Sequence, residues 1–466
     1  VGEFGPGTTT AQGARNRTHG TDTATDAATS APDGHRTAGP RGRGRRPRGG
    51  DPLAPVLARV FGDGERVAVR AFDGTVLGDP EGSPRIEVRS PLALSYLLSA
   101  PGELGLARAY VTGHLDVVGD LRDVLAEVLD LVDGLDTGAK LAVLTELGPR
   151  YLRPVAVPPE EAPGRIRRGL RGLRHSRSRD STAISRHYDV SNRFYELVLG
   201  PSMAYTCACF PSGEASLEQA QFHKFDLACR KLGLRPGMRL LDVGCGWGGM
   251  VAHAAEHYGV EALGVTLSRE QADWGREHLR ARGLDGRARV VHGDYRDVAE
   301  AGFDAVASIG LTEHIGARNL PAYFRFLAAR LRAGGRLLNH CITRPTTRDP
   351  HRTGPFIDRY VFPDGELEGV GTLVSAMQDH GFEVRHEENL REHYARTLAA
   401  WCANLAEHWT EAVAEAGVRR ARVWALYMAA SRLSFERRGI ELHQVLGVKT
   451  DASGSSGMPL RPDWGV

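Results

Sequence analysis

The stretch Leu240-Leu241-Asp242-Val243-Gly244-Cys245-Gly246-Trp247-Gly248-Gly249 runs an apolar strand into a Gly-x-Gly-x-Gly turn, and Met250 onward reads as a helix. Glycines at 244, 246 and 248 let the backbone turn sharply and approach a ligand without interference from a Cβ. The helix that follows offers unpaired N–H groups and the positive end of its dipole to a carboxylate. Short apolar strands at 238–243, 261–266, 288–292, 303–309 and 335–342 alternate with helical segments. Two more are expected near 382–388 and 440–448, the second antiparallel at the edge. This alternation predicts an α/β fold, a mostly parallel seven-stranded Rossmann-like sheet with helices on both faces. Ligands of such sheets sit beyond the carboxyl ends of the strands, where strand order reverses.

The spacing within the turn narrows the ligand. A dinucleotide fold prefers Gly-x-Gly-x-x-Gly and an acid ending the second strand. Here the second strand ends in Gly264-Val265-Thr266-Leu267-Ser268. Asp242 is an acid well placed for an ammonium group, and Gly293-Asp294-Tyr295 offers an acceptor and a ring for a purine. These features favour S-adenosylmethionine over a nicotinamide dinucleotide.

Around this domain the 466-residue chain divides by composition. Residues 1–50 hold eight arginines against four acids and almost no large apolar side chains, so they are expected to stay disordered. Residues 51–150 read as a small α+β domain: a hairpin over Val67–Leu77 about Asp73-Gly74, then helical patterns at Leu92–Leu98 and Leu121–Val132. Residues 151–186 form a basic linker, with seven arginines and no acid between 164 and 179. Ile166, Leu170 and Leu173 share one helical face there, a pattern suited both to an anionic membrane surface and to a polar connector. The main domain is expected over 187–450, followed by a tail at 451–466.

The net charge of +2 is concentrated in the tail, which speaks against a folded nucleic-acid-binding face. Six cysteines in so long a chain do not make a disulfide framework and fit a reducing cytoplasm. Cys207 and Cys209 lack a companion pair, so no metal site is expected. No apolar run reaches membrane-spanning length, and the beginning of the chain lacks the apolar core of a secretory signal.

Further segments add a resemblance. They are His187-Tyr188-Asp189-Val190-Ser191-Asn192-Arg193-Phe194-Tyr195, Met203-Ala204-Tyr205-Thr206-Cys207-Ala208, Glu313-His314-Ile315-Gly316, Leu338-Asn339-His340-Cys341-Ile342 and Tyr394-Ala395-Arg396-Thr397-Leu398. With the glycine turn and Gly264–Ser268, the region 187–448 resembles the cyclopropane-fatty-acyl-phospholipid synthases, class I methyltransferases that use S-adenosylmethionine. Ala109-Tyr110-Val111-Thr112-Gly113 is similar to the small N-terminal domain of longer bacterial members.

The resemblance implies cofactor contacts from Tyr205, Thr206, Leu240, Asp242, Gly244, Gly246, Thr266, Leu267, Ser268, Gln271, Asp294 and Tyr295, with Gly248 completing the turn. It also implies a bicarbonate ion held by Cys207, Glu313, His340, the backbone of Ile342, and Tyr394. The implied reaction adds a methylene group across a cis double bond of a phospholipid acyl chain. An isolated alkene has no proton to lose first, so no base is needed at the start. After methyl transfer, a small base near the carbocation both accepts a proton and stabilises charge, while apolar walls exclude water. A cytoplasmic enzyme peripherally bound to the inner face of the membrane follows, with no nucleic-acid partner and a homodimer left open.

Taken one at a time, these residues read more plainly. Cys207 is a small core residue, His340 a satisfied polar group, Tyr394 a half-buried aromatic and Glu313 a helix cap. Their joint register reverses that. Departures from the family pattern are Leu311-Thr312 where Met-Phe is common, Thr206 for serine, Cys209 for an aromatic and Ser431 for a cysteine. Thr312 is expected to bring a hydroxyl near the reacting centre. The alternatives are an enzyme making a methylene- or methyl-branched fatty acid, a small-molecule amine methyltransferase, and a binding module without catalysis.

Overall fold

Local sequence sets the first elements. The computed structural model describes residues 53–82, 84–134, 136–148, 151, 153–163, 190–348 and 353–465. The arginine-rich tail, the basic stretch 164–179 and His187-Tyr188-Asp189 lie outside them. Helix α1 (Ala54–Phe61) carries Pro55 in its first turn, where a missing N–H costs nothing. Strands β1 (Ala68–Ala71) and β2 (Val76–Leu77) pair antiparallel about the Asp73-Gly74 turn, where Asp73 Oδ1 accepts from the Thr75 N–H at 3.1 Å. Strand β3 (Arg85–Val88) runs parallel to β1, and β4 (Leu115–Val118) runs antiparallel to β3, giving the order β2-β1-β3-β4. Helices α2 (Pro91–Ser99), α3 (Glu103–Val111), α4 (Leu121–Asp133) and α5 (Thr137–Leu147) accompany this sheet, the last two capped by Asp120 and Asp136.

Two further helices precede the large sheet. Helix α6 (Asn192–Leu199) is capped by Ser191, and α7 (Leu217–Leu232) opens on a reciprocal Ser216–Gln219 capping box. The sheet then builds as β5 (Arg239–Val243), α8 (Gly249–Tyr258), β6 (Glu261–Thr266), α9 (Arg269–Ala281), β7 (Ala288–His292), β8 (Phe303–Ile309), α10 (Leu320–Arg330) and β9 (Leu331–Thr343). It ends with α11 (Pro355–Tyr360), α12 (Val370–Asp379), β10 (Glu383–Asn389), α13 (Arg391–Glu407), α14 (Trp409–Ala416), α15 (Val418–Glu436) and β11 (Glu441–Val448).

Strand order is β10-β11-β9-β8-β5-β6-β7. The fold is the expected mostly parallel, seven-stranded α/β sheet, and β11 alone runs against its neighbours. Successive residues of β5 feed opposite faces, as strand geometry requires. Leu240 packs with Met250, Val251, Leu338 and Leu446, whereas Leu241 and Val243 pack with Leu263, Phe324, Leu337 and Val445. Chain order reverses at β5, between β6 on one side and β8 on the other, which fixes the mouth of the site.

One expectation of position is corrected. Strand β11 is antiparallel but not at the edge: it lies between β9 and β10, and all eight of its residues are buried. The edge belongs to β10, whose residues are largely part-exposed. The polar Glu441, His443 and Gln444 suggest an edge by composition, yet His443 Nδ1 lies 2.7 Å from Thr343 Oγ1 and Gln444 is bonded within the sheet. Polar residues are tolerated inside a sheet when their bonds are made there.

The small sheet is tied to the large one by α15. The guanidinium of Arg422 is buried; its Nε donates to the Tyr110 carbonyl at 2.6 Å and its Nη2 to the Leu115 carbonyl and Asp116 Oδ1, both at 2.9 Å. Arg122 Nε donates to Glu436 at 2.6 Å, and Arg437 pairs with Asp130. Among the described residues no helix is long and apolar enough to cross a membrane.

Candidate active site

Gly244, Gly246 and Gly248 all adopt left-handed φ angles, of 76°, 55° and 83°. The N–H groups of Gly244 and Cys245 both donate to the Val265 carbonyl, at 2.9 and 3.0 Å, which pins the turn to β6. A Cβ on Gly248 would stand 2.9 Å from Val290 Cγ2, so no side chain fits there. A Cβ on Gly246 would meet nothing within 4 Å; that face of the turn opens onto free space.

Beneath the turn, Asp242 is only 2% exposed and its Oδ1 has no partner. Burial pushes its carboxyl up to about 7, against the pull of the nearby Lys224 charge. Lys224, on α7, is itself fully buried and pulled down to about 8 by desolvation. Its Nζ donates to Thr206 Oγ1 at 2.9 Å. Gln221, one turn earlier, donates Nε2 to the carbonyls of Ala204 and Thr206 at 3.3 and 3.0 Å. Helix α7 therefore holds the segment carrying Tyr205, Thr206 and Cys207 by its backbone and one hydroxyl.

The Tyr205 ring lies among Tyr195, Trp401 and Trp424, with centroids 6.1, 5.5 and 5.4 Å away, and its hydroxyl donates to that of Tyr427 at 3.0 Å. On the other side of the turn, Thr266, Ser268 and Gln271 form one local network. Thr266 Oγ1 donates to Gln271 Oε1 at 2.7 Å, and Ser268 caps α9 by accepting from the Gln271 N–H. The Leu267 carbonyl lies 3.2 Å from His292 Nε2. Both oxygens of Asp294 accept from Arg296, Oδ1 at 2.8 Å from Nε and Oδ2 at 2.6 Å from Nη2. Tyr295 packs edge-on to Tyr323 and Phe326. Leu240 sits apart from the turn, in the strand core described above.

The expected anion ligands lie at the carboxyl ends of β8 and β9 and on the elements packed against them. Glu313 follows β8, and its Oε1 accepts from the Ile342 backbone N–H at 2.7 Å; its Oε2 is buried without a partner. Burial pushes this carboxyl up to about 7. His340, two residues before Ile342 on β9, is 1% exposed; its Nδ1 faces Gln444 Nε2 at 3.1 Å, and its Nε2 has no partner. Desolvation and the charges of Lys224 and Lys231 push the imidazole well below its ordinary range. Cys207 is buried, with its thiol pushed up by desolvation and directed at the Ala208 carbonyl, 3.2 Å away. Tyr394, in the first turn of α13, packs on Phe435 and Trp401.

One departure behaves differently from its sequence reading. The Thr312 hydroxyl donates to Asn339 Oδ1 at 2.6 Å and is buried, so it is spent within the protein rather than offered to a substrate. Cys209 is likewise buried, its thiol pushed up to about 12. Sequence reading missed Gln221, Lys224, Lys231 and Gln444. A signal existed: positions 221, 224, 228 and 231 share one face of α7, and buried Ala228 places that face inward.

The family model for mycolic acid cyclopropane synthetase matches residues 175–445. The chain belongs to this family. It is 55% identical over 419 residues to the probable fatty acid methyltransferase Rv3720 of Mycobacterium tuberculosis, covering 88% of this chain and 98% of that protein. It is 36% identical over 260 residues to the cyclopropane-fatty-acyl-phospholipid synthase of Escherichia coli, covering 56% of this chain and 66% of that one. Among solved structures, the mycolic acid cyclopropane synthase CmaA1 complexed with SAH and CTAB is similar with a TM-score of 0.54 and 33% identity, over 57% of this chain and 97% of that one.

Proposed function

We propose that this enzyme transfers a methyl carbon from S-adenosylmethionine to the cis double bond of an unsaturated fatty acyl chain in a phospholipid, and closes a cyclopropane ring. The observation carrying this reading is that Asp242 Oδ1, Glu313 Oε2 and His340 Nε2 are all buried and unpartnered in one region of the sheet. Leaving such atoms unmet costs about 1–3 kcal/mol each, so they fit ligands. Asp242 suits the ammonium of S-adenosylmethionine, and the open face at Gly246 leaves room for its body. Glu313 and His340 suit a bicarbonate ion, with Cys207 and Tyr394 as the remaining expected ligands; the Ile342 N–H, expected to join them, is taken by Glu313.

When bound, S-adenosylmethionine supplies an electrophilic methyl group: the C–S bond breaks, the alkene electron pair forms the new C–C bond, and a cation remains on the acyl chain. When bound, bicarbonate supplies a base for the proton that must leave the added methyl as its C–H pair closes the ring. The chain's own residues do the rest. The Ile342 N–H fixes one oxygen of Glu313 and leaves the other to orient a partner or take a proton. The aromatic set of Tyr195, Tyr205, Trp401 and Trp424 walls the region, excluding water and offering π-faces to a cation. We place the reaction at the inner face of the membrane, supported by the basic stretch at 164–179.

A second reading has its own support. The relative sharing 55% identity is named a fatty acid methyltransferase, which favours a branched rather than cyclic product from the same cation. Lipids extracted from an expressing host decide between them. Gain of one CH2 mass together with high-field ring protons in the NMR spectrum is the expected result. Exocyclic methylene or methyl-branch signals would transfer the assignment to the second reading. No new carbon on any cis-monounsaturated phospholipid would sink both.

A further inference from the structure

We propose that Lys231 and Gln444 are positioning residues that fix the tautomer of His340, so that its Nε2 carries the proton and serves as a donor into the site. The inference deepens the function proposed above and rests on it for its catalytic meaning. Its geometry stands alone. Gln444 on β11 is the direct cross-strand partner of His340 on β9. Lys231, fully buried on α7, donates its Nζ to Gln444 Oε1 at 2.6 Å and also pairs with Glu388.

An ammonium has donors only, so the Gln444 atom facing Lys231 must be its oxygen. The amide NH2 then faces His340, with Nε2 of Gln444 3.1 Å from Nδ1 of the ring. That NH2 also has donors only, so Nδ1 must present a lone pair. A neutral imidazole with a bare Nδ1 carries its hydrogen on Nε2, the buried atom without a partner. Burial and the two lysine charges keep the ring neutral, which supports the same assignment.

The consequence for chemistry is specific. His340 holds an anion or a polarised oxygen by donation and does not act as the base. The proton released on ring closure must therefore go elsewhere, to a bound anion or to Glu313. Lys231 and Gln444 touch no substrate in this scheme; they act through the ring.

The test reads the tautomer directly. Protein labelled with 15N-histidine, free of lipid, gives long-range 1H–15N correlations that distinguish the two tautomers, and the spectrum of His340→Gln identifies the His340 signals. The expected result is a bare Nδ1 and a protonated Nε2, unchanged between about pH 6 and 8. Gln444→Glu should reverse the tautomer, because a carboxylate accepts from Nδ1–H, and turnover should fall roughly tenfold to a hundredfold. Lys231→Met, which frees the amide to rotate, should give mixed tautomers and covers the case in which Gln444→Glu fails to fold. A wild-type ring protonated at Nδ1 would overturn the proposal, as would loss of turnover in these variants with the tautomer unchanged. Lipid without new carbon would instead overturn the alkene reading and leave the tautomer result standing.

Discussion

The backbone N–H of Ile342 donates to Glu313 Oε1 at 2.7 Å, while Oε2 of the same carboxyl is buried without a partner. One oxygen is thus held by the backbone, and the other is the one the proposed function assigns to a ligand. Glu313→Gln can keep the first bond through its amide oxygen while removing the titratable group. Turnover is expected to fall on the order of a hundredfold or more, with cofactor affinity unchanged by calorimetry. Wild-type turnover in this variant would remove Glu313 from the chemistry.

The same variant carries a stability prediction. Burial raises Glu313 from 4.5 to about 7, so the folded state holds its proton over a range in which the unfolded chain has lost it. The wild type therefore loses stability as pH rises from the unfolded value through about 7, and glutamine does not. Denaturant titrations should show Glu313→Gln gaining on the wild type at about pH 8 relative to about pH 5.

With Asp242 as the proposed partner of the ammonium, cofactor binding is expected to be proton-linked. Its carboxyl, pushed up to about 7, is partly protonated in the ligand-free enzyme near neutrality. A bound ammonium favours the charged form, so binding S-adenosylmethionine should release a proton below that pH, and affinity should rise as pH increases toward it. Calorimetry in buffers of different ionisation enthalpy measures this release. Asp242→Asn should abolish it and weaken binding; an unchanged buffer dependence would show that another group is responsible.

Thr312 separates a structural hydroxyl from a chemical one. Because it donates to Asn339, Thr312→Val should leave a buried acceptor unmet and cost about 1–3 kcal/mol of stability. The product profile should stay the same. A changed ratio of cyclic to branched lipid in this variant would mean that the hydroxyl reaches the reacting carbons after all.

Strand positions were legible because each carries a dense apolar run bounded by glycine or polar residues. The turn at 244–248 was legible because only glycine suits its left-handed angles. The place of β11 was not, since the buried bonds of His443 and Gln444 are made to residues about a hundred positions away. Lys224 and Lys231 escaped for a related reason. A lysine in an amphipathic helix reads as solvent-facing, and only the assembled fold reveals the acceptors that let it go inside. Glu313 and His340 could be singled out from sequence, but nothing in it showed which of their atoms would be left over.

The buried Arg422 carries a consequence for any dissection of the chain. It answers to the Tyr110 and Leu115 carbonyls and to Asp116, all in the part of the chain that precedes the region shared across the family. A fragment reduced to that shared region would expose this guanidinium to water, which hydrates it, and with it the face of α15 that packs on α3 and α4. The N-terminal sheet thus supplies the acceptors that let a cation go inside, and without it that position returns to the surface.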